Sequence, residues 1–274
     1  MGGINTKQLN RGSMRNKGKA ASSKLELVSQ IALSFLVAGF IVFGVFFATS
    51  ILNNVHLSYI RYQSKDIVKL LNERGGGGTG FVVAGKSGKI YILTNRHICK
   101  STELGMLQAI YRNDTYIVKI IKRYEFNDLC LVEAPSTATS GLKVASNVAM
   151  GERAYAVGHP LLEGITVTQG ELSTYTIIEM PLGQSVDPKT CTGFGMRLID
   201  LSDNPFAVAF GITNICVQSY TCNSSTISIQ PGNSGSPVLN IYGHVIGVAF
   251  ASNEAGSHSY IVPRTDVEDF LNDY

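Results

Sequence analysis

Ser234 stands between Pro231-Gly232-Asn233 and Gly235-Ser236-Pro237, with the apolar pair Val238-Leu239 following. A serine hydroxyl is a weak nucleophile, useful only when a base takes its proton and preorganised donors hold the oxyanion that forms. A Gly-x-Ser-Gly turn can supply those donors. Glycine lets the backbone of Gly232, Asn233 and Ser234 bend until amide N–H groups converge beside the hydroxyl. Alone, the stretch also reads as an ordinary Gly/Asn/Ser turn, so partner residues must decide. His97 ends the run Ile92-Leu93-Thr94-Asn95-Arg96-His97, and Asp128 opens Asn127-Asp128-Leu129-Cys130-Leu131. His, Asp and Ser thus follow one another along the chain, each at a strand-to-loop junction. Such a set can run acyl transfer: His97 takes the proton of Ser234 and Asp128 holds the other imidazole nitrogen. A lone His or Asp is more often structural; placement against the serine loop reverses that for these two. Asp114, in Arg112-Asn113-Asp114-Thr115, is the fallback acid and looks like a hairpin turn. His56, His159, His244 and His258 lack the spacing of a metal site, and the chemistry needs no cofactor.

Short apolar runs must position these residues. Phe81–Ala84 and Ile90–Leu93, joined by Gly85-Lys86-Ser87-Gly88, read as a hairpin. Further strand candidates are Tyr116–Ile121, Leu129–Glu133, Ala154–Val157, Ile165–Val167, Ile227–Ile229, Val238–Leu239, Val245–Phe250 and Tyr260–Val262. Many short strands with turns between them predict a β-barrel or sandwich. Pro263-Arg264-Thr265-Asp266, ahead of Val267 and Phe270-Leu271, predicts one short closing helix.

The first quarter of the chain differs. Lys7, Arg11, Arg15, Lys17, Lys19 and Lys24 lie in residues 1–25 with no acid, so the formal charge of +3 belongs to this tail and the remainder is net acidic. Nucleic-acid binding by the folded part is not suggested. Leu27–Leu52 holds no charge, long enough to cross a hydrocarbon layer of roughly 30 Å. The expectation is a transmembrane helix over 26–52, in contact with the lipid bilayer through 27–52, with the basic tail cytoplasmic and the rest periplasmic or extracellular. A cleaved signal has a shorter apolar core, about 7–15 residues, although Ala48-Thr49-Ser50 could be cut. Met1–Thr6 fits an N-myristoylation pattern, read as coincidence. Residues 53–77 are expected to be a juxtamembrane linker, helical to Arg74, with Gly75–Gly78 as a hinge.

Taken together, Gly78-Thr79-Gly80-Phe81, Thr94-Asn95-Arg96-His97, Asp128-Leu129, Ala156-Val157-Gly158-His159-Pro160, Thr166-Val167-Thr168-Gln169-Gly170, Pro231-Gly232-Asn233-Ser234-Gly235 and Gly243-His244-Val245-Ile246-Gly247-Val248 resemble the HtrA/Deg branch of the trypsin-like serine proteases. The resemblance covers about residues 78–272. It implies an all-β fold of two six-stranded antiparallel barrels, about 78–145 and 150–262 within a 78–274 domain. The triad His97, Asp128 and Ser234 would lie between them, beside an oxyanion hole from the backbone of Gly232, Asn233 and Ser234. It also implies a primary pocket from Thr226-Ile227-Ser228 and from Val248-Ala249-Phe250. Neither segment carries a charge, so uncharged residues of modest size are expected before the scissile bond. Gly235-Ser236-Pro237 also occurs in glutamyl endopeptidases, which have a histidine where Ala249 stands.

Three departures matter. No peptide-binding PDZ module is expected after the closing helix. Residue 233 is Asn, where trypsin has the Asp that captures a newly cut N-terminus, so activation by such cleavage is not expected. Residues 171–225 are longer than in the relatives and carry Cys191, Cys216 and Cys222. A Cys99–Cys130 bridge is geometrically open because His97 and Asp128 must approach each other. Two of the other three cysteines could pair, or all five could stay reduced and buried. The reading is a membrane-anchored serine endopeptidase acting on polypeptides. The alternatives are a catalytically silent peptide-binding module and a stress sensor gated by the insertion. The sequence sets no oligomeric state.

Overall fold

The computed structural model describes residues 7–100, 102–124, 126–192, 195–253 and 255–274; the myristoylation pattern at Met1–Thr6 lies outside them. The chain divides into two compact units, 1–55 and 56–274. Helix α1 runs Lys7–Gln63, and Ser29–Asp66 is long and apolar enough to cross a membrane. Phe35, Phe40 and Phe46 are about three-quarters exposed, so no protein core accounts for their apolar character.

The second unit is mostly β. Strands β1 (Ile67–Leu71), β2 (Gly77–Ala84) and β3 (Ile90–Thr94) are followed by helix α2 (Arg96–Lys100), then β4 (Met106–Tyr111), β5 (Asp114–Arg123) and β6 (Cys130–Glu133). All six strands form a closed antiparallel barrel in the order β1-β2-β3-β6-β5-β4. Beyond it come β7 (Arg153–Gly158), β8 (Thr166–Gln184), β9 (Met196–Asp200), α3 (Pro205–Ala209), β10 (Asn214–Ser225), β11 (Pro237–Leu239), β12 (Val245–Ser252), β13 (Ser259–Pro263) and α4 (Arg264–Asn272). The second sheet has seven strands ordered β13-β12-β11-β7-β8-β10-β9. Strand β13 also pairs with β10 through Asn223↔Ile261, which joins the sheet's flanks and leaves β9 outside.

Strand β2 shows why an unbroken apolar run is needed. Val82 faces the barrel interior with Ile92, Leu107, Val118 and Val132. Phe81 and Val83 face the other way, toward Tyr155, Leu239, Val245 and Phe270. A strand buried on both faces loses the apolar–polar alternation. Helix α4 completes this second cluster with Val267, Phe270 and Leu271.

Three expectations are corrected. The helix stops at Gln63, and Ile67–Leu71 is a barrel strand paired with β2 and β4. The barrel therefore starts ahead of residue 78. Gly75 and Gly76 form the β1–β2 turn, closed by Asn72 N–H to Gly76 O at 2.8 Å, and are no hinge. Ile227–Ile229 lies in a loop outside the strands. The insertion is a long β8–β10 arm with β9 on its edge, tied by a Cys191–Cys216 disulfide. Cys99–Cys130 is also bonded, while Cys222 is free and its thiol is pushed up to about 12 by burial. A 31-residue separation corresponds to about 3–4 kcal/mol of chain-entropy stabilisation.

Candidate active site

His97 lies in the single turn of α2, directly after β3, and Asp128 lies just before β6. Since β3 and β6 are neighbours in the barrel, the two side chains meet. His97 Nδ1 is 2.6 Å from Asp128 Oδ2, and the His97 backbone N–H donates to Oδ1 at 2.9 Å. Asn95 Nδ2 donates to the Asp128 carbonyl at 2.8 Å. The Asp128 side chain is 5% exposed against 46% for His97, so the carboxylate is buried behind the ring while the ring's far edge reaches solvent. The Cys99–Cys130 disulfide lies two residues beyond each partner and ties the same two segments together.

The Ser234 loop is fixed by its carbonyls. Pro231 O accepts from Leu161 N–H at 2.6 Å, Gly232 O from the Thr79 hydroxyl at 2.8 Å, and Asn233 O from Ser236 N–H at 2.9 Å. A peptide is planar with its C=O and N–H opposed, so holding a carbonyl also aims the next residue's amide. Asn233 N–H turns inward to Gln230 O at 3.0 Å. Of the three backbone amides expected in the oxyanion hole, Asn233 is therefore committed to the turn. Those of Gly232 and Ser234 have no hydrogen-bond partner among the described residues. Gly232 has φ +92°, and a Cβ there would come within 2.3 Å of His159 O; Gly235 has φ +87° and would meet Thr79 O at 2.0 Å. Side chains are excluded at both positions by conformation and by space.

The Ser234 hydroxyl donates to Phe250 O at 3.4 Å, and no hydrogen bond joins it to the His97 ring. The structure therefore brings His97 and Asp128 into contact and leaves Ser234 with a long bond to the edge of β12. Thr226 and Ser228 are exposed. Ile227 and Ala249 pack in a core cluster with Leu172, Val238 and Ile261, and Val248 and Phe250 belong to the other core. Of the expected lining, these four side chains are turned into the core, each 3% exposed or less. The segments offer only backbone, Thr226 and Ser228 to a ligand. Asp114 is at the β4–β5 turn opposite Tyr111, distant in sequence and pairing from His97.

Thr79 is the site residue whose role sequence reasoning missed. Fully buried, it donates its backbone N–H to Ser234 O at 2.8 Å and its hydroxyl to Gly232 O. Its hydroxyl accepts from His159 N–H at 3.0 Å, and its carbonyl accepts from the Thr94 hydroxyl at 2.7 Å. The only sequence signal was its place in the Gly78-Thr79-Gly80 motif. His159, buried beside it, has its imidazole pKa lowered by desolvation, and Nδ1 lies 2.8 Å from Glu163 O. Asn233 Oδ1 and Ser236 Oγ are buried without a protein partner among the described residues.

A family model described as trypsin-like peptidase domain matches residues 78–248. The chain is 27% identical over 204 residues to the serine protease Do-like HtrB of Bacillus subtilis, covering 71% of this chain and 37% of that protein. It is 27% identical over 207 residues to a serine protease HtrA-like of Staphylococcus aureus, covering 72% of this chain and 23% of that protein. The chain thus spans less than two-fifths of the length of these curated relatives. Among solved structures, a Mycobacterium tuberculosis protease in its active form superposes with a TM-score of 0.58 at 16% identity, over 78% of this chain and 82% of that one. A serine endoprotease from Yersinia pestis gives 0.53 at 19% identity, over 80% and 66%. These two likenesses support the fold.

Proposed function

This chain belongs to the trypsin-like peptidase family, and from that premise we propose that it is a serine endopeptidase that uses His97, Asp128 and Ser234. The Ser234 hydroxyl gives its proton to His97 Nε2 as its oxygen attacks the carbonyl carbon of a polypeptide. Asp128 accepts the Nδ1–H and stabilises the imidazolium. The amides of Gly232 and Ser234 hold the oxyanion. His97 then protonates the leaving amine, and water releases the acyl group by the same steps. The observation that carries this is the 2.6 Å contact between His97 Nδ1 and the buried Asp128 carboxylate. Catalytic bonds to the nucleophile are often long in a resting enzyme and tighten with substrate.

One observation favours the second reading, a catalytically silent module that only holds peptides: the Ser234 hydroxyl is bonded to Phe250 O, away from the ring. Fluorophosphonate labelling separates the two. Fast labelling of the full chain, abolished by Ser234→Ala and greatly slowed by His97→Ala, is expected of the endopeptidase. Asp128→Asn should reduce turnover by on the order of 10⁴ through the wrong imidazole tautomer. A folded wild-type chain that labels no faster than Ser234→Ala refutes catalysis. We further propose that residues 26–52 anchor the protein with the basic tail cytoplasmic. The two disulfides accord with a domain on the oxidising side. Because Thr226-Ile227-Ser228 and Val248-Ala249-Phe250 carry no charge and offer a ligand only backbone, Thr226 and Ser228, we propose uncharged residues of modest size before the scissile bond.

A further inference from the structure

His97 and Asp128 belong to the first barrel, whereas Ser234 belongs to a loop of the second sheet. The distance from base to nucleophile therefore depends on what joins the two. The residue preceding each member of the His–Asp pair sends a buried side chain to the same strand. Arg96 Nη2 donates to Gln218 Oε1 at 2.6 Å and to the Tyr220 hydroxyl at 3.1 Å, and its Nη1 donates to Tyr124 O at 3.3 Å. Asn127 Nδ2 donates to Thr221 O at 3.0 Å and to Asp266 Oδ2 at 2.6 Å, while its Oδ1 accepts from Asp128 N–H at 2.8 Å. Gln218, Tyr220 and Thr221 all lie on β10. The Tyr220 hydroxyl donates to Gln218 Oε1 at 3.0 Å, closing a triangle with Arg96. The Tyr220 ring packs on Phe250 with centroids 5.7 Å apart, and Phe250 O holds the Ser234 hydroxyl. A short physical path thus runs from His97 through Arg96, Tyr220 and Phe250 to Ser234.

Arg96 is 7% exposed, Asn127 and Gln218 1% each, and Tyr220 5%. Buried polar groups with matched partners specify one arrangement, because breaking any contact leaves another group unsatisfied. The planar guanidinium reaches several acceptors from fixed directions, which an ammonium cannot do. Strand β10 continues past Cys216, bonded to Cys191, into the arm.

We propose that Arg96 and Asn127 are positioning residues that register the His97–Asp128 pair on β10. The strand of the long insertion, rather than the first barrel alone, then sets where His97 stands relative to Ser234. This rests on reading those three residues as the catalytic unit.

The test uses the full chain in detergent micelles with four variants: Arg96→Met, Arg96→Lys, Gln218→Leu and the double variant Arg96→Met/Gln218→Leu. Each is measured for melting temperature, labelling rate, kcat and KM on a neutral peptide, and the low-field proton signal of His97 Nδ1–H. Arg96→Met and Gln218→Leu should each lower kcat and labelling on the order of 10–10²-fold, the cost of a sub-ångström to 1 Å misplacement, with KM nearly unchanged. Arg96→Lys should recover only part of the rate. The double variant Arg96→Met/Gln218→Leu should be no slower than the slower single one. The low-field signal should shift or broaden in Arg96→Met. Full rates in folded variants, or losses that multiply in the double variant, overturn the proposal. If the wild-type chain itself shows no Ser234-dependent labelling, the catalytic reading has failed separately. The proton signal then decides: unchanged in folded Arg96→Met and Gln218→Leu, it overturns the positioning role, and perturbed in both, it supports that role.

Discussion

Replacing Thr79 by valine keeps the shape of a fully buried side chain and deletes one hydroxyl. That hydroxyl serves two backbone groups, donating to Gly232 O at 2.8 Å and accepting from His159 N–H at 3.0 Å. Each buried group left without a partner costs about 1–3 kcal/mol, so with two such groups Thr79→Val should destabilise the domain by about 2–6 kcal/mol. The backbone bond from Thr79 N–H to Ser234 O persists, so the loop stays attached but the Gly232 carbonyl is freed to turn. Losing an oxyanion donor outright costs about 10²–10³ in kcat. A loosened loop should cost less, on the order of 10-fold to 10²-fold. Thr79→Ser restores the hydroxyl and should restore most of the activity. Urea unfolding and peptide hydrolysis would be measured on the same preparations. A valine variant with wild-type stability and wild-type kcat would refute the claim that this hydroxyl holds the Ser234 loop.

Asp66 is buried at the junction of α1 and β1, 3.5 Å from Arg112 Nη2, and its pKa is raised, chiefly by desolvation and against the pull of Lys65 and Arg112. A carboxyl whose folded pKa exceeds its unfolded value binds more protons when folded. Its contribution to stability is therefore full below the unfolded pKa, about 3.9, and lost as pH rises through the folded value. Urea midpoints of the wild type minus Asp66→Asn should fall across that window and level off above it; a rising difference would contradict the buried placement. For topology, protease treatment of sealed vesicles should leave the domain intact when the cytoplasmic face is outside. Digestion of the domain from that face, or a soluble product starting near Ile51, would sink the anchor.

What was legible in the sequence was what local chemistry demands. Gly232 and Gly235 mark a loop that only glycine can make, since both have positive φ and no room for a Cβ. His97 and Asp128 close and open apolar runs, and the proximity required of them leaves a Cys99–Cys130 bridge open without deciding it. Other features depend on partners far along the chain. The hydroxyl of Thr79 bonds residues 153 and 80 positions away. Ile67–Leu71 fits a helix face or a strand equally by spacing, and pairing with Ala109 and Gly80 decides for strand. An apolar run does not say which of its faces is inward, and only the packing of Ile227 and Ala249 with Leu172, Val238 and Ile261 places their side chains in the core. The β8–β10 arm gave little signal, since Tyr175 and Ile177 stay exposed there and burial does not impose alternation.

The position of Asn233 shows how these distant contacts bear on activation. Trypsin-like zymogens need a carboxylate at this position because a new N-terminal amine must hold the nucleophile loop in shape. Here the loop's carbonyls are already held by Leu161 N–H, the Thr79 hydroxyl and Ser236 N–H, and Thr79 N–H holds Ser234 O. Asn233 is 2% exposed, and its amide closes the turn on Gln230 O. A cleaved N-terminus would bring a cation to a neutral amide in a buried space, where no ion pair could offset its desolvation. Strand β2, which carries Thr79, performs the holding role from within the first barrel. The same strand follows directly from the β1–β2 turn at Gly75 and Gly76, so cutting there would loosen the element that supports Ser234. The Ser234-dependent labelling proposed above is therefore expected of the uncleaved chain and should weaken, not appear, after trimming at Gly75–Gly80.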